Sequence, residues 1–291
     1  NVLAAIERVT DHQNIANLND SKSPRQRLWK IRANKVVLAT GAIERPLTFV
    51  NNDRPGIMLA AAVRHYINRY GVLSGRQVVV VTNNNSAYKT ALDLAAKGVD
   101  VRVIDVRANP QGGLVKRVQE KRIPIYAGRV ITKVHCQVLG KDGSTVSGVT
   151  ITPHNDSANI THLNCDLVAM SGGWNPSVHL FSQSGGKLHY DENLCCFVPA
   201  KAVQNVVCVG AANGDFDLEI EAYWQNPTQP SSQQWLDFQY DITVADIEQA
   251  ARENFISVEH FKRYTGTGMC VDQGKTGNVN ALAVLGEVTG R

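Results

Sequence analysis

The sequence predicts an α/β fold of stacked layers, with a mostly parallel sheet and a small helical domain toward its carboxyl-terminal end. Three observations carry this. Strand and helix patterns alternate over residues 77–105, as a crossover unit requires. Apolar runs end in glycine three times, at Val36-Val37-Leu38-Ala39-Thr40-Gly41, Leu167-Val168-Ala169-Met170-Ser171-Gly172 and Val206-Val207-Cys208-Val209-Gly210. From Asp241 the pattern turns helical, with Thr243 and Ser257 placed to cap helices over 244–254 and 258–264.

The elements follow in order. Alternation over Val2–Val9 predicts a strand, and a polar turn near 19–24 leads to a second over Gln26–Ile31. Lys35–Gly41 is uniformly apolar, as in a strand buried on both faces. Two proline-bearing polar stretches precede a helix near Met58–Tyr70, and Gly71–Arg76 reads as a hinge. Then come a strand (Gln77–Val81), a helix (Ser86–Lys97) and a strand (Val99–Asp105). Further strands are expected at Ile125–Ala127, Val130–Leu139 and Val146–Thr152, the last two joined by a Lys141-Asp142-Gly143 turn. The expected domains are 1–72 with 156–230, an inserted layer over 73–155, and a helical domain over 236–291.

Composition narrows the function. The 291 residues suit roughly two domains of about 150. Thirty Lys+Arg against 26 Asp+Glu leave a net charge of +4, too small and dispersed to mark nucleic acid or an anionic membrane as the partner. No run of 18 apolar residues exists to span a bilayer. The six cysteines form no C-x-x-C pair and read as buried reduced thiols in a cytoplasmic protein. The eight histidines are scattered without ligand spacing, so no metal site is expected. The opening at Asn1 without Met, and the close at Arg291, read as the interior of a longer polypeptide.

One stretch has the position of a dinucleotide fingerprint without its residues. Val78-Val79-Val80-Val81-Thr82-Asn83-Asn84-Asn85-Ser86-Ala87 joins a strand to a helix, and Asp105 ends the next strand where a ribose-binding acid belongs. Thr82 and Asn84 replace the turn glycine and the glycine that lets backbone approach a pyrophosphate; only the close-packing Ala87 is kept. This layer is therefore expected to be closed to nucleotide.

Ala39-Thr40-Gly41 at a strand end resembles the second dinucleotide-contact motif of glutathione-reductase-like flavoproteins. Gly210-Ala211-Ala212-Asn213-Gly214-Asp215 stands where that superfamily has strand–Gly–Asp, but Ala211 replaces the acid. Five stretches together, Ala39–Pro46, Asn51–Leu59, Tyr66–Val72, Asp241–Ile247 and Lys262–Met269, resemble the α subunits of heterotetrameric sarcosine oxidases. The resemblance covers almost the whole sequence. It implies an incomplete FAD/NAD(P)-binding-like fold (ββα layered) lacking an amino-terminal G-x-G-x-x-G unit, with an inserted second Rossmann-like domain. It also implies a complex that oxidises the N-methyl group of sarcosine, giving glycine, hydrogen peroxide and formaldehyde or methylenetetrahydrofolate.

In that scheme this subunit holds NAD and helps enclose FMN at the α/β subunit interface. FAD and tetrahydrofolate bind elsewhere in the complex, and the amine substrate reacts at another subunit. The partners are β, γ and δ subunits, and no residue here is catalytic. The cofactor-facing residues implied are Ala39, Thr40, Gly41, Gly210, Ala211, Phe216 and Leu218. Some relatives hold an iron–sulfur cluster with four cysteines. Here the matching stretches, Phe238–Asp241 and Met269–Gly274, keep only Cys270, so no cluster is expected. Two alternatives stand beside this: an NAD(P)H-dependent flavoprotein reductase, against which the lost glycines and absent C-x-x-C count, and a noncatalytic scaffold subunit.

Overall fold

The computed structural model describes residues 2–12, 23–139, 143–154, 158–216 and 218–290. In chain order the elements are β1 (Val2–Arg8), β2 (Gln26–Arg32), β3 (Val36–Leu38), β4 (Ala42–Glu44), β5 (Ile57–Leu59), α1 (Ala60–Tyr70), β6 (Gln77–Thr82), α2 (Tyr88–Ala95), β7 (Asp100–Asp105), α3 (Gly113–Glu120), β8 (Ile125–Ala127), β9 (Arg129–Leu139), β10 (Gly143–Pro153), β11 (Thr161–Asn164) and β12 (Leu167–Ser171). They continue with β13 (Trp174–Pro176), α4 (His179–Gln183), β14 (Lys187–Asp191), β15 (Cys196–Lys201), β16 (Val206–Cys208), β17 (Trp235–Asp237), β18 (Ile242–Thr243), α5 (Val244–Arg252), α6 (Val258–Thr265) and α7 (Asn278–Thr289). The chain divides into two compact units: Asn1–Gly41 with Ser177–His189 and Val198–Asp215, and Ala42–Pro176 with Tyr190–Phe197 and Phe216–Arg291.

In the first unit β1 and β2 form an antiparallel hairpin, Val2 opposite Arg32 and Arg8 opposite Gln26. β3 and β16 pair in parallel, Val36 with Val206 and Leu38 with Cys208. Leu38, Cys208, Ala212 and Phe181 of α4 make a small core against one face of that pair.

The second unit is built on a five-stranded parallel sheet in the order β5-β12-β6-β7-β8. The run of four valines shows why β6 is central. Val78 and Val80 face α1, α2 and α3, while Val79 and Val81 face the antiparallel sheet of β9, β10 and β11. Each is at most 1% exposed, a burial worth about 2 kcal/mol apiece. The result is a three-layered ββα arrangement around this sheet. α5, α6 and α7 form a separate cluster around Ile247, Phe261 and Val284. The Thr243 backbone N–H is capped by Asp246 at 2.8 Å, and Ser257 Oγ accepts from the His260 N–H.

Several expectations are corrected. The layer is not confined to 73–155, because β5 and β12 hydrogen-bond into its sheet from outside those limits. The boundary of the compact units falls after Gly41, not after residue 72. α3 has no signal in the sequence, because only Val115 and Val118 are buried on it, too few to mark a helical period. α7 falls inside the expected helical domain, although, being apolar on most sides, it shows no helical period of its own. Cys136 is exposed on β9, whereas Cys165, Cys195, Cys196 and Cys208 are buried. Most of the turn expected near 19–24, and Lys141 and Asp142 of the other turn, lie outside the described residues. No helix among the described residues is long and apolar enough to cross a membrane.

Candidate functional site

The parallel pairing of β3 and β16 sets their carboxyl ends side by side. Ala39-Thr40-Gly41 leaves one end and Val209-Gly210-Ala211 the other. Val209 N–H donates to Leu38 O at 3.0 Å, and Ser177 ties the first exit by donating its N–H to Gly41 O at 2.9 Å and accepting Thr40 Oγ1 at 2.7 Å. Gly41 has φ +72° and Gly210 φ +61°, left-handed conformations that favour glycine. A Cβ built on either would meet nothing within 4 Å. Both therefore border open space at the strand ends, the place where parallel sheets bind ligands. Five of the expected residues (Ala39, Thr40, Gly41, Gly210 and Ala211) thus come together. Phe216 and Leu218 belong to the second unit and are half-buried there.

The degenerate loop of the second unit is filled by its own side chains. Thr82 and Asn84 are fully buried. Asn84 Oδ1 accepts from the Ser86 N–H at 3.0 Å and Ser86 Oγ at 2.6 Å, the position an anion takes at the start of such a helix. Asn84 Nδ2 donates to Ser171 O and Oγ, both at 3.2 Å. A distant stretch of chain, Glu219–Glu221, closes over the loop. Asn85 N–H donates to Glu219 O at 3.1 Å, Asn83 Nδ2 donates to Glu221 O at 2.8 Å, and Glu221 N–H returns to Asn83 O at 3.1 Å.

Asp105, the residue at the ribose-acid position, is equally committed. It accepts Arg107 Nε at 2.9 Å and Nη2 at 2.6 Å, together with Tyr88 Oη at 2.7 Å. Burial, then Asp105, push the Tyr88 hydroxyl pKa up, so it remains the donor. Asparagine supplies both an acceptor and donors at the turn. That explains how the fingerprint can lose its glycines and keep its shape.

Sequence reasoning missed β4. Glu44 and Arg45 are adjacent charges before a proline, yet they are 4% and 0% exposed. Glu44 Oε2 accepts the Ala61 N–H at 2.8 Å, near the start of α1. Burial pushes its carboxyl up to about 7 from 4.5, against smaller downward pulls from Ala61 and Ser171. The fold thus favours the protonated form. The stability this gives is complete below pH 4.5 and drains away as pH rises through 7. Between those limits the loss is about 3 kcal/mol. Glu44→Gln should flatten that slope in denaturant midpoints measured across pH 4.5–8; parallel curves for the two proteins would reject the assignment.

Among the described residues no group of three or more His, Cys, Asp or Glu side chains could hold a metal ion. The strand-end glycines and ββα layering define a nucleotide-binding oxidoreductase fold. The chain belongs to the pyridine nucleotide-disulphide oxidoreductase family, whose model matches residues 4–198.

More particularly, residues 231–291 match the sarcosine oxidase A3 domain. Over its whole length the chain is 37% identical to the sarcosine oxidase subunit alpha of Corynebacterium sp. (strain P-1), covering 34% of that protein. It is 34% identical to the subunit alpha of Rhizobium meliloti (strain 1021), covering 31%. The resemblance read from residues 39–72 and 241–269 is borne out. The chain spans about a third of the length of the curated relatives it matches. L-proline dehydrogenase from P. horikoshii shares the fold, with a TM-score of 0.68 at 20% identity over 91% of this chain and 55% of that one.

Proposed function

We propose that this chain is the middle of the α subunit of a heterotetrameric sarcosine oxidase. The complex would oxidise sarcosine to glycine with hydrogen peroxide and formaldehyde, or methylenetetrahydrofolate when tetrahydrofolate is present. In this reading the first unit holds NAD where β3 and β16 end, and the subunit helps wall FMN against the β subunit. FAD and the amine site lie in another subunit, and γ and δ complete the assembly. One observation carries the NAD assignment: Gly41 and Gly210, both at positive φ, border free space at the ends of two paired parallel strands. A dinucleotide bound there would supply hydride chemistry or a fixed structural charge; the residues here bind and orient it.

The test is graded. Gly41→Ala and Gly41→Val project one and three carbons into the open space, at a left-handed position that strains both and valine the more. NAD released from the purified complex on denaturation should fall modestly in the first variant and about tenfold in the second, a loss of roughly 1.4 kcal/mol in binding. Equal NAD content in all three proteins would reject the site. The closed Asn84 loop favours a second reading, a scaffold subunit without cofactors, and weighs against a pyridine-nucleotide reductase. Mass analysis finding neither NAD nor flavin in the intact α subunit would establish the scaffold.

A further inference from the structure

The five-stranded sheet reverses between β6 and β12: β7 and β8 continue on one side, β12 and β5 on the other. In open parallel sheets a crevice forms at such a reversal, outside the carboxyl ends of the strands, and it is where ligands bind. A cavity of about 430 Å³ lies there, within the second unit and in the size range of small-molecule sites. Ser86 follows the end of β6, Trp174 the end of β12 and Ala61 the end of β5, and all three line it.

The cavity borders the fingerprint turn through Ser86 but does not reopen it. Asn84 and Asp105 are consumed by internal hydrogen bonds, so no dinucleotide can lie across the sheet from one to the other. What remains open is a space for something smaller. α2 contributes Lys89, exposed at its tip and, among the described residues, without a carboxylate partner. α1 contributes Arg64, whose Nε meets Asp93 at 2.6 Å while Asn68 donates to the same oxygen at 2.7 Å. The guanidinium nitrogens of Arg64 beyond Nε stay available to a ligand. Trp174 donates its indole N–H to Ser86 Oγ at 2.8 Å, which fixes the ring as a wall. An unpaired ammonium, a partly used guanidinium and an aromatic face are the complement of a small organic oxyanion, and the buried Glu44 carboxyl that also lines the cavity favours its neutral, protonated form.

We propose that this cavity binds a small organic molecule through a carboxylate or phosphate group, held by Lys89 and Arg64 with its body against Trp174. The inference is independent of the nucleotide assigned to the first unit.

The test is site-resolved acylation of lysines in the full-length protein, read by peptide mass spectrometry. Acetate and inorganic phosphate serve as probes, each at about 20 mM against chloride of equal ionic strength. Lys97, exposed beyond the end of α2, is the internal reference. At least one oxyanion should slow modification of Lys89 about threefold relative to Lys97, the occupancy expected of a site with a Kd of about 10 mM. Acetate alone would identify a carboxylate ligand, phosphate alone a phosphate ester, and both a general oxyanion site. Arg64→Gln, at an exposed position, should abolish the protection without changing the circular dichroism spectrum. Lys89 reacting at one rate in chloride, acetate and phosphate would overturn the proposal. So would protection that persists unchanged in Arg64→Gln.

Discussion

Arg45→Ala is expected to cost about 3–5 kcal/mol and to lower the thermal midpoint by about 10 °C. The guanidinium is fully buried, and no ion pair among the described residues neutralises it. Its charge is met by neutral acceptors. Nε and Nη2 donate to Gly172 O at 3.2 and 3.0 Å, and Nη1 donates to Asn175 Oδ1 at 2.9 Å and Cys195 O at 2.7 Å. The Trp224 ring lies 5.3 Å from the guanidinium carbon. One planar fork therefore ties the end of β12, the β13 strand and the turn before β15.

Alanine would leave two buried carbonyls and an amide oxygen without donors and open a cavity as well. Arg45→Lys should recover little, since a point ammonium cannot reach three acceptors set around a plane. The opposing effect is the desolvation cost of the charge, which alanine relieves. If the Arg45→Ala midpoint fell by less than about 2 °C, the two effects would cancel and the fork would not hold the unit together.

Gly172→Ala should be at least as damaging. A Cβ at this position would overlap Pro46 O, with Pro46 C at 2.8 Å and Leu47 Cα at 3.2 Å. These are backbone atoms, and they cannot swing aside as a side-chain tip can. They are also locked, because Gly172 N–H donates to Arg45 O at 2.8 Å and Arg45 N–H to Gly173 O at 2.8 Å. A loss of about 4 kcal/mol is expected, seen as failure to accumulate folded protein. Gly113→Ala is the matched control. A Cβ there meets nothing within 4 Å, so its soluble yield and unfolding midpoint should match the parent. Equal behaviour of the two variants would mean that the chain at 46–47 relaxes freely.

Much of this was legible in the residues because its causes are local. Four consecutive valines can be buried only between two layers, and Thr243 and Ser257 cap because their side chains reach the next turn. Thr82 and Asn84 announced a closed turn because the chemistry of a phosphate loop depends on which side chains are missing. The rest depends on distant chain. β12 joins the sheet from about ninety residues beyond β6, so no local pattern could place it there. Glu44 and Arg45 look like surface charges, and their acceptors and donors, Ala61, Gly172 and Cys195, are supplied only by the fold. The cavity at the strand reversal draws on four separate stretches and has no motif.

The carboxamide of Asn84 has a lasting consequence for the layer that carries it. A phosphate at that turn would come and go with its concentration, and the start of the helix would tighten or loosen with each visit. A covalently attached acceptor has no off-rate and no competitor. The start of this helix is therefore held in one geometry by the chain's own carboxamide, whatever anions surround it.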